Sequence, residues 1–285
     1  MKNNKLNLWE RIGFNFLNVI AVLVLFILSS EVSTMIAYLI GNRNLALITR
    51  TLLLAVMLLV VGSLYAKFVL KMTPFEMGFS LKGFNIKNVA VCILLPVTIL
   101  LIYSFIIPGK IIVTETDNTK ETIIYALFGS GLFAGIGEEI CFRGLIFKYM
   151  EKTLGSKTAV IVPAVLFASL HIFNMEKFDV VDLLLLILAG SSVAVMFTLM
   201  SMQTGTIWVG ALSHTLWNAL IIGGIFGIGD IVNGMENYSL IQIIPNTNNR
   251  LLTGGNFGVE ASIISTLAYI IVALLFVKYG KGKKQ

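Results

Sequence analysis

Apolar runs long enough to cross about 30 Å of hydrocarbon, at about 1.5 Å per helical residue, recur along nearly the whole sequence. They read as helices near 14–40, 49–70, 89–107, 123–150, 158–174, 181–200, 206–228 and 259–278. A chain with so many such runs has lipid as its natural solvent. A hydrophobic fraction of 57%, a charged fraction of 13% and a mean hydropathy of +0.90 exclude a soluble domain. A closed barrel would need shorter segments that alternate in polarity, and VVDLLLLILAG does not alternate. The expected fold is therefore all-α, a polytopic transmembrane bundle of about eight helices. No linker or internal repeat divides it, which makes residues 1–285 a single integral membrane domain.

The formal charge of +6 raises the question of nucleic acid, but its placement points to lipid headgroups and orientation instead. Lys2, Lys5 and Arg11 precede the first helix, Lys67, Lys71, Lys82 and Lys87 crowd the second connection, and Lys148, Lys152 and Lys157 fill the fourth. Lys278, Lys281, Lys283 and Lys284 end the chain. Acidic residues dominate the odd connections: Glu115, Asp117 and Glu121 in the third, Glu176 and Asp179 in the fifth, Asp230 and Glu236 in the seventh. Both termini are thus expected in the cytoplasm, with membrane lipid as a partner and nucleic acid excluded. The basic start resembles a signal peptide, but Leu28-Ser29-Ser30-Glu31 is a poor cleavage site and the first helix reads as retained. Cys92 and Cys141 fall inside helices, so neither a disulfide framework nor a cysteine zinc site is available. Residues 71–88 read as a cytoplasmic interfacial segment, with Phe75, Phe79 and Phe84 interleaved with lysines, and 229–258 as an external surface loop rather than a lid.

Ionisable groups inside a membrane helix are costly and are candidates for function by default. The fourth helix carries GIGEEICFRGLIF, with Glu138, Glu139 and Arg143 among glycines and large apolar residues. Glu139 and Arg143 are four apart and share a face, within reach of a charge-assisted hydrogen bond, while Glu138 points elsewhere. A packing ion pair accounts for Glu139 and Arg143 and leaves Glu138 unexplained. Both histidines of the chain are also intramembrane: His171, one turn after Phe167, and His214, one turn before Asn218. A lone buried histidine is more often a packing residue. Counting from the cytoplasmic ends, however, puts Glu138 near 18 Å, His171 near 20 Å, His214 near 13 Å and Asn218 near 20 Å at about 1.5 Å per residue. Three helices thus bring a carboxylate, two imidazoles and an amide to one level, which describes a site.

Glu-Glu-x-x-x-Arg, Phe-x-x-x-His and His-x-x-x-Asn, in this order on successive helices, resemble the CPBP family, which comprises CAAX prenyl-protease II enzymes and bacterial bacteriocin-processing relatives. The resemblance covers about residues 120–228. It implies an intramembrane endopeptidase, in a bacterial cell membrane, acting on a peptide or lipidated protein in CAAX-type processing, bacteriocin maturation or immunity. It also implies roles: Glu138 as catalytic glutamate, His171 as the histidine that helps it activate water, His214 and Asn218 as oxyanion donors. Glu139 and Arg143 would support them, with Phe167 against His171.

Chemistry agrees with that assignment, because peptide hydrolysis needs a water, a base and donors aimed at the developing oxyanion. Burial in a low-dielectric cavity makes a carboxylate a better base, and uncharged His and Asn side chains are able to supply donors. Zinc held by Glu138, His171 and His214 is the rival chemistry, but no HExxH spacing is present, and the metal-free, cofactor-free route is the expectation. A secondary transporter would also place charge in the membrane, though it usually shows repeats and paired broken helices. A non-catalytic immunity or scaffold protein is the other rival, and the complete motif set argues against it.

Overall fold

The computed structural model describes residues 6–114, 117–175, 177–229 and 239–282. Lys2, Lys5, Glu115, Glu176, Asp230, Glu236, Lys283 and Lys284 lie outside the described residues, as does the side chain of Lys281. Six helices are long and apolar enough to cross a membrane: α1 (Leu8–Tyr38), α2 (Arg43–Leu70), α3 (Ile86–Ile106), α4 (Thr119–Leu154), α5 (Ser156–Asn174) and α6 (Val180–Thr204). Two further helices follow, α7 over 208–222 and α8 (Ile263–Gly282), whose apolar part, Ile263–Lys278, is shorter than the six spans. The helical bundle is the one the apolar runs predict, with one addition and one shortened helix. The addition is a three-stranded sheet, β1 (Gly109–Val113), β2 (Phe226–Ile228) and β3 (Ile241–Pro245), in which β3 runs antiparallel to β1 and parallel to β2. The seventh helix, read from hydropathy to residue 228, stops at 222, where Gly223 follows and Gly224 adopts a φ of +89° that ends helical hydrogen bonding.

Polarity is distributed inside out. Along α1 the buried side chains include Asn15, Asn18, Ser29 and Ser33, while Phe16, Leu17, Leu28 and Met35 face outward. Lipid tails are as apolar as leucine, so no hydrophobic sorting drives these helices together; small residues and interhelical hydrogen bonds do. Tyr65 Oη on α2 accordingly donates to Asn18 Oδ1 at 3.0 Å, and Thr51 Oγ1 to the Phe128 carbonyl of α4 at 2.8 Å.

Contacts between connections sort the ends of the bundle. Lys152 Nζ reaches Glu76 Oε1 at 3.0 Å and Asn15 Nδ2 donates to Thr153 Oγ1 at 2.8 Å, which gathers the start of α1 and the connections after α2 and α4 at one end. At the other, Asn44 Nδ2 donates to Glu121 Oε1 at 3.4 Å, joining the connections after α1 and α3. The segment after α2 is not only interfacial: Phe75 is exposed, but Met72 and Met77 are buried and Trp208 Nε1 donates to the Phe79 carbonyl at 3.1 Å.

Two apolar clusters form the interior, one centred on Leu58, Ile140, Leu145 and Phe167, the other on Ile99, Met196, Phe197 and Trp217. His214 lies at their seam, stacked on Phe197 with centroids 4.9 Å apart and edge-on to Phe167 at 6.4 Å.

Candidate active site

The charged segment of α4 sits where helical geometry changes. An α-helical stretch, Phe133–Glu139, is followed by a π-helical one, Ile140–Phe147, so Glu138 and Glu139 close the first and Arg143 belongs to the second. The wider turn still pairs Arg143 Nη1 with Glu139 Oε1 at 2.9 Å, while Nη2 donates to the Ala194 carbonyl of α6 at 3.0 Å. The guanidinium lies 5.0 Å and 5.2 Å from the ring centres of Phe167 and Phe197. Both members of the pair are fully enclosed.

Glu139 Oε1 also meets His214 Nδ1 at 3.1 Å. That oxygen acts as acceptor toward Arg143, so His214 Nδ1 carries the proton and donates, and Nε2 is turned toward Glu138 Oε2, 4.0 Å away. Two glycines make this approach of α4 and α7 feasible. A Cβ on Gly135 would stand 2.8 Å from the Ala211 carbonyl, and one on Gly210 would stand 3.2 Å from Glu139 Oε2. His171 is the first residue of a 3₁₀ turn, His171–Asn174, that ends α5. Its Nδ1 lies 2.8 Å from the Phe167 carbonyl and its ring 4.6 Å from that of Phe167, so Nδ1 is again the donor and Nε2 carries the lone pair.

Glu138, His171, His214 and Asn218 line one cavity of about 230 Å³, which Glu139 and Arg143 do not reach. Glu138 and His171, with Phe167 and Asn174, also border a second cavity of about 210 Å³ whose far wall is apolar: Leu23 and Phe26 of α1, Phe142 and Leu170. The residues singled out in the sequence therefore meet, with Glu139 and Arg143 behind them.

Sequence reading missed Glu260, which lines the first cavity from the short turn Val259–Ala261. Glutamate ahead of an apolar helix is an ordinary N-terminal acid, and nothing local signals that it reaches across to Glu138. Burial raises its carboxyl from an ordinary 4.5 to about 7, against the opposing pull of His171 and His214. The stretch read as an external surface loop is part of the wall as well, since Phe257 lines the same cavity. For zinc, no group of three or more His, Cys, Asp or Glu side chains among the described residues is disposed to hold a metal ion.

Residues 120–220 match the family model described as Type II CAAX prenyl endopeptidase Rce1-like. Over that stretch the chain is similar to the CAAX proteases. The family is one of proteases, and with six helices able to span a bilayer the chain is an integral membrane protein of hydrolase type. The matched stretch includes Glu138, Glu139, Arg143, Phe167, His171, His214 and Asn218, and ends ahead of Glu260. Comparison with curated proteins and with solved structures returns no match.

Proposed function

We propose that this CAAX-protease relative hydrolyses a peptide bond in a membrane-associated peptide or lipidated protein, with Glu138 as the base that activates water. One observation carries the reading: Glu138, His171, His214 and Asn218 line a single cavity while Glu139 and Arg143 neutralise each other behind it. A water between Glu138 and His171 Nε2 gives its proton to the carboxylate as its oxygen adds to the scissile carbonyl. Asn218 Nδ2 then donates to the oxyanion. His214 donates to it through Nε2 only when the ring carries both protons, because Nδ1–H is committed to Glu139, a condition the sequence reading of uncharged donors lacked. Glu138 returns its proton to the leaving amine, the C–N bond breaks, and a carboxylate and an amine are released.

On this reading the reaction takes place in a bacterial cell membrane with both termini cytoplasmic, and the orientation is supported by the basic residues of the end that gathers the α1 start with the connections after α2 and α4. Cleavage is tested with anchored reporter peptides and purified protein in detergent, and the substrate by comparing membrane and secreted peptides of cells carrying wild-type or Glu138→Gln protein. Cleaved reporters and precursors accumulating in the variant cells are the expected result. Solute uptake by proteoliposomes with no cleavage would replace the reading by transport.

A further inference from the structure

Arg143 balances Glu139 away from the cavity, yet two more carboxylates, Glu138 and Glu260, face into it, and no lysine or arginine is among the described residues that line it. Glu138 Oε2 is buried and hydrogen-bonded to no described residue. Carboxyl groups facing a low-dielectric cavity that no lysine or arginine lines are matched at least cost by a positive group that arrives with the ligand and draws the proton off Glu260.

The wall beside Glu260 suits such a group in its other parts too. Trp217 and Tyr269 form a corner, their centroids 5.2 Å apart and their planes at 66°, and Phe257 stands nearby, 6.4 Å from the His171 ring. Trp217 hydrogen-bonds the Glu260 carboxyl through its side chain, aromatic rings beside a carboxylate attract ammonium and guanidinium groups, and Leu186 and Ala189 offer an apolar track for an aliphatic stem. This corner is held in place. Tyr269 Oη donates to the Glu260 carbonyl at 3.4 Å and Ser265 Oγ to the Val259 carbonyl at 2.7 Å. Upstream, Asn256 N donates to Asp182 Oδ2 at 3.2 Å and Arg250 Nη1 to Asp179 Oδ1 at 2.8 Å, tying the segment to the start of α6.

We propose that Glu260, Trp217, Tyr269 and Phe257 form a specificity subsite for a cationic side chain, lysine or arginine, close to the scissile bond of the substrate peptide. The proposal rests on the peptidase reading for what enters the cavity, and it assigns the substrate a property that the three motifs do not encode. Glu260 here is a binding residue and takes no part in bond cleavage.

The test uses anchored reporter peptides that differ only in carrying lysine or its uncharged isostere norleucine at each of the three positions on either side of the cleaved bond. Wild-type protein is expected to favour lysine at one position by about tenfold or more in kcat/KM, the scale of a desolvated cation–aromatic and ion-pair contact. Glu260→Gln should collapse that ratio through the KM of the lysine peptide, and Glu260→Asp, which keeps the charge, should retain part of it. An unchanged ratio in Glu260→Gln, equal losses of kcat on both peptides, or no lysine preference at any position would overturn the subsite. A second arm measures binding of the same peptides to Glu138→Gln protein with and without Glu260→Gln, by calorimetry in detergent. If wild-type protein cleaves nothing, the peptidase reading falls. The binding arm still decides the subsite: preference for lysine that depends on Glu260 sustains it, and equal binding of lysine and norleucine peptides ends it.

Discussion

Gly135 of α4 and Thr215 of α7 are so close that a Cβ on the glycine would stand 2.2 Å from the Thr215 hydroxyl oxygen. His214 precedes that threonine, and Glu138 and Glu139 lie one turn beyond the glycine, so this approach, in which Thr215 N and the Ala211 carbonyl would stand 2.7 Å and 2.8 Å from the same Cβ, sets how near the imidazole comes to both carboxylates. Gly135→Ala should force the helices apart at a cost of about 1–3 kcal/mol, lowering the melting temperature in detergent and the cleavage rate together. Thr215→Ala in the same chain removes the hydroxyl and should recover part of both. A wild-type melting curve for Gly135→Ala would show that the contact is not tight.

The neighbouring glutamates should respond differently. Glu138→Gln keeps the size of the side chain and should cut cleavage about 10²–10⁴-fold with little change in melting temperature. Glu139→Gln leaves Arg143 enclosed without its counter-charge, and breaking such a pair commonly costs about 3–5 kcal/mol. Adding Arg143→Met should restore part of the stability but not the cleavage. Equal losses of stability at positions 138 and 139 would reverse the assignment of base and support.

Glu260 gives a pH signature. Its folded carboxyl is raised from an ordinary 4.5 to about 7, so the fold holds a proton that the unfolded chain releases. Its contribution to stability is therefore full below about pH 4.5, declines as pH rises, and is lost above about pH 7. Glu138 of α4, His171 of α5, His214 and Trp217 of α7 and Tyr269 of α8 face the same cavity, so the measurement is the difference between wild type and Glu260→Gln. Relative to the variant, wild-type melting temperature should fall between pH 5 and pH 8, as about one proton of linkage dictates. A constant difference contradicts the raised carboxyl.

Orientation is open to cysteine labelling because the natural thiols, Cys92 and Cys141, are both buried. A membrane-impermeant maleimide added to intact cells should label a cysteine at Asn118 and spare one at Lys82. The reverse pattern inverts the topology.

Metal dependence is decided by elemental analysis of the purified protein together with activity after chelation. Cleavage that survives the chelator, with no stoichiometric zinc, is expected from a site whose water is activated by Glu138. Zinc lost along with activity and restored by adding it back would replace that route.

The bundle was legible because hydropathy reports on solvent, and runs such as those of α1 and α6 admit one solvent. The pair Glu139 and Arg143, and the packing of Phe167 against His171, follow from a spacing of four on a helix. Helical spacing does not report partners on other elements. That Glu139 Oε1 accepts from His214 as well as from Arg143 depends on the crossing of α4 and α7, which Gly135 and Gly210 set. Glu260 was hidden for a similar reason: its chemistry arises from being folded back over residues more than forty positions away. The β-strands were obscured because five residues of Gly109–Val113 and three of Phe226–Ile228 are too few to show alternation beside long apolar runs.

The two cavities that share Glu138 and His171 make the pair a junction, where a dead-end pocket would have a single mouth. A hydrolase embedded in lipid has to unite reactants of opposite solubility, water and a greasy chain. The first chamber adds His214, Asn218 and Glu260 to the shared pair, and the second adds Leu23, Phe26, Phe142 and Leu170, so the reacting atoms can be reached from a polar side and from a greasy one.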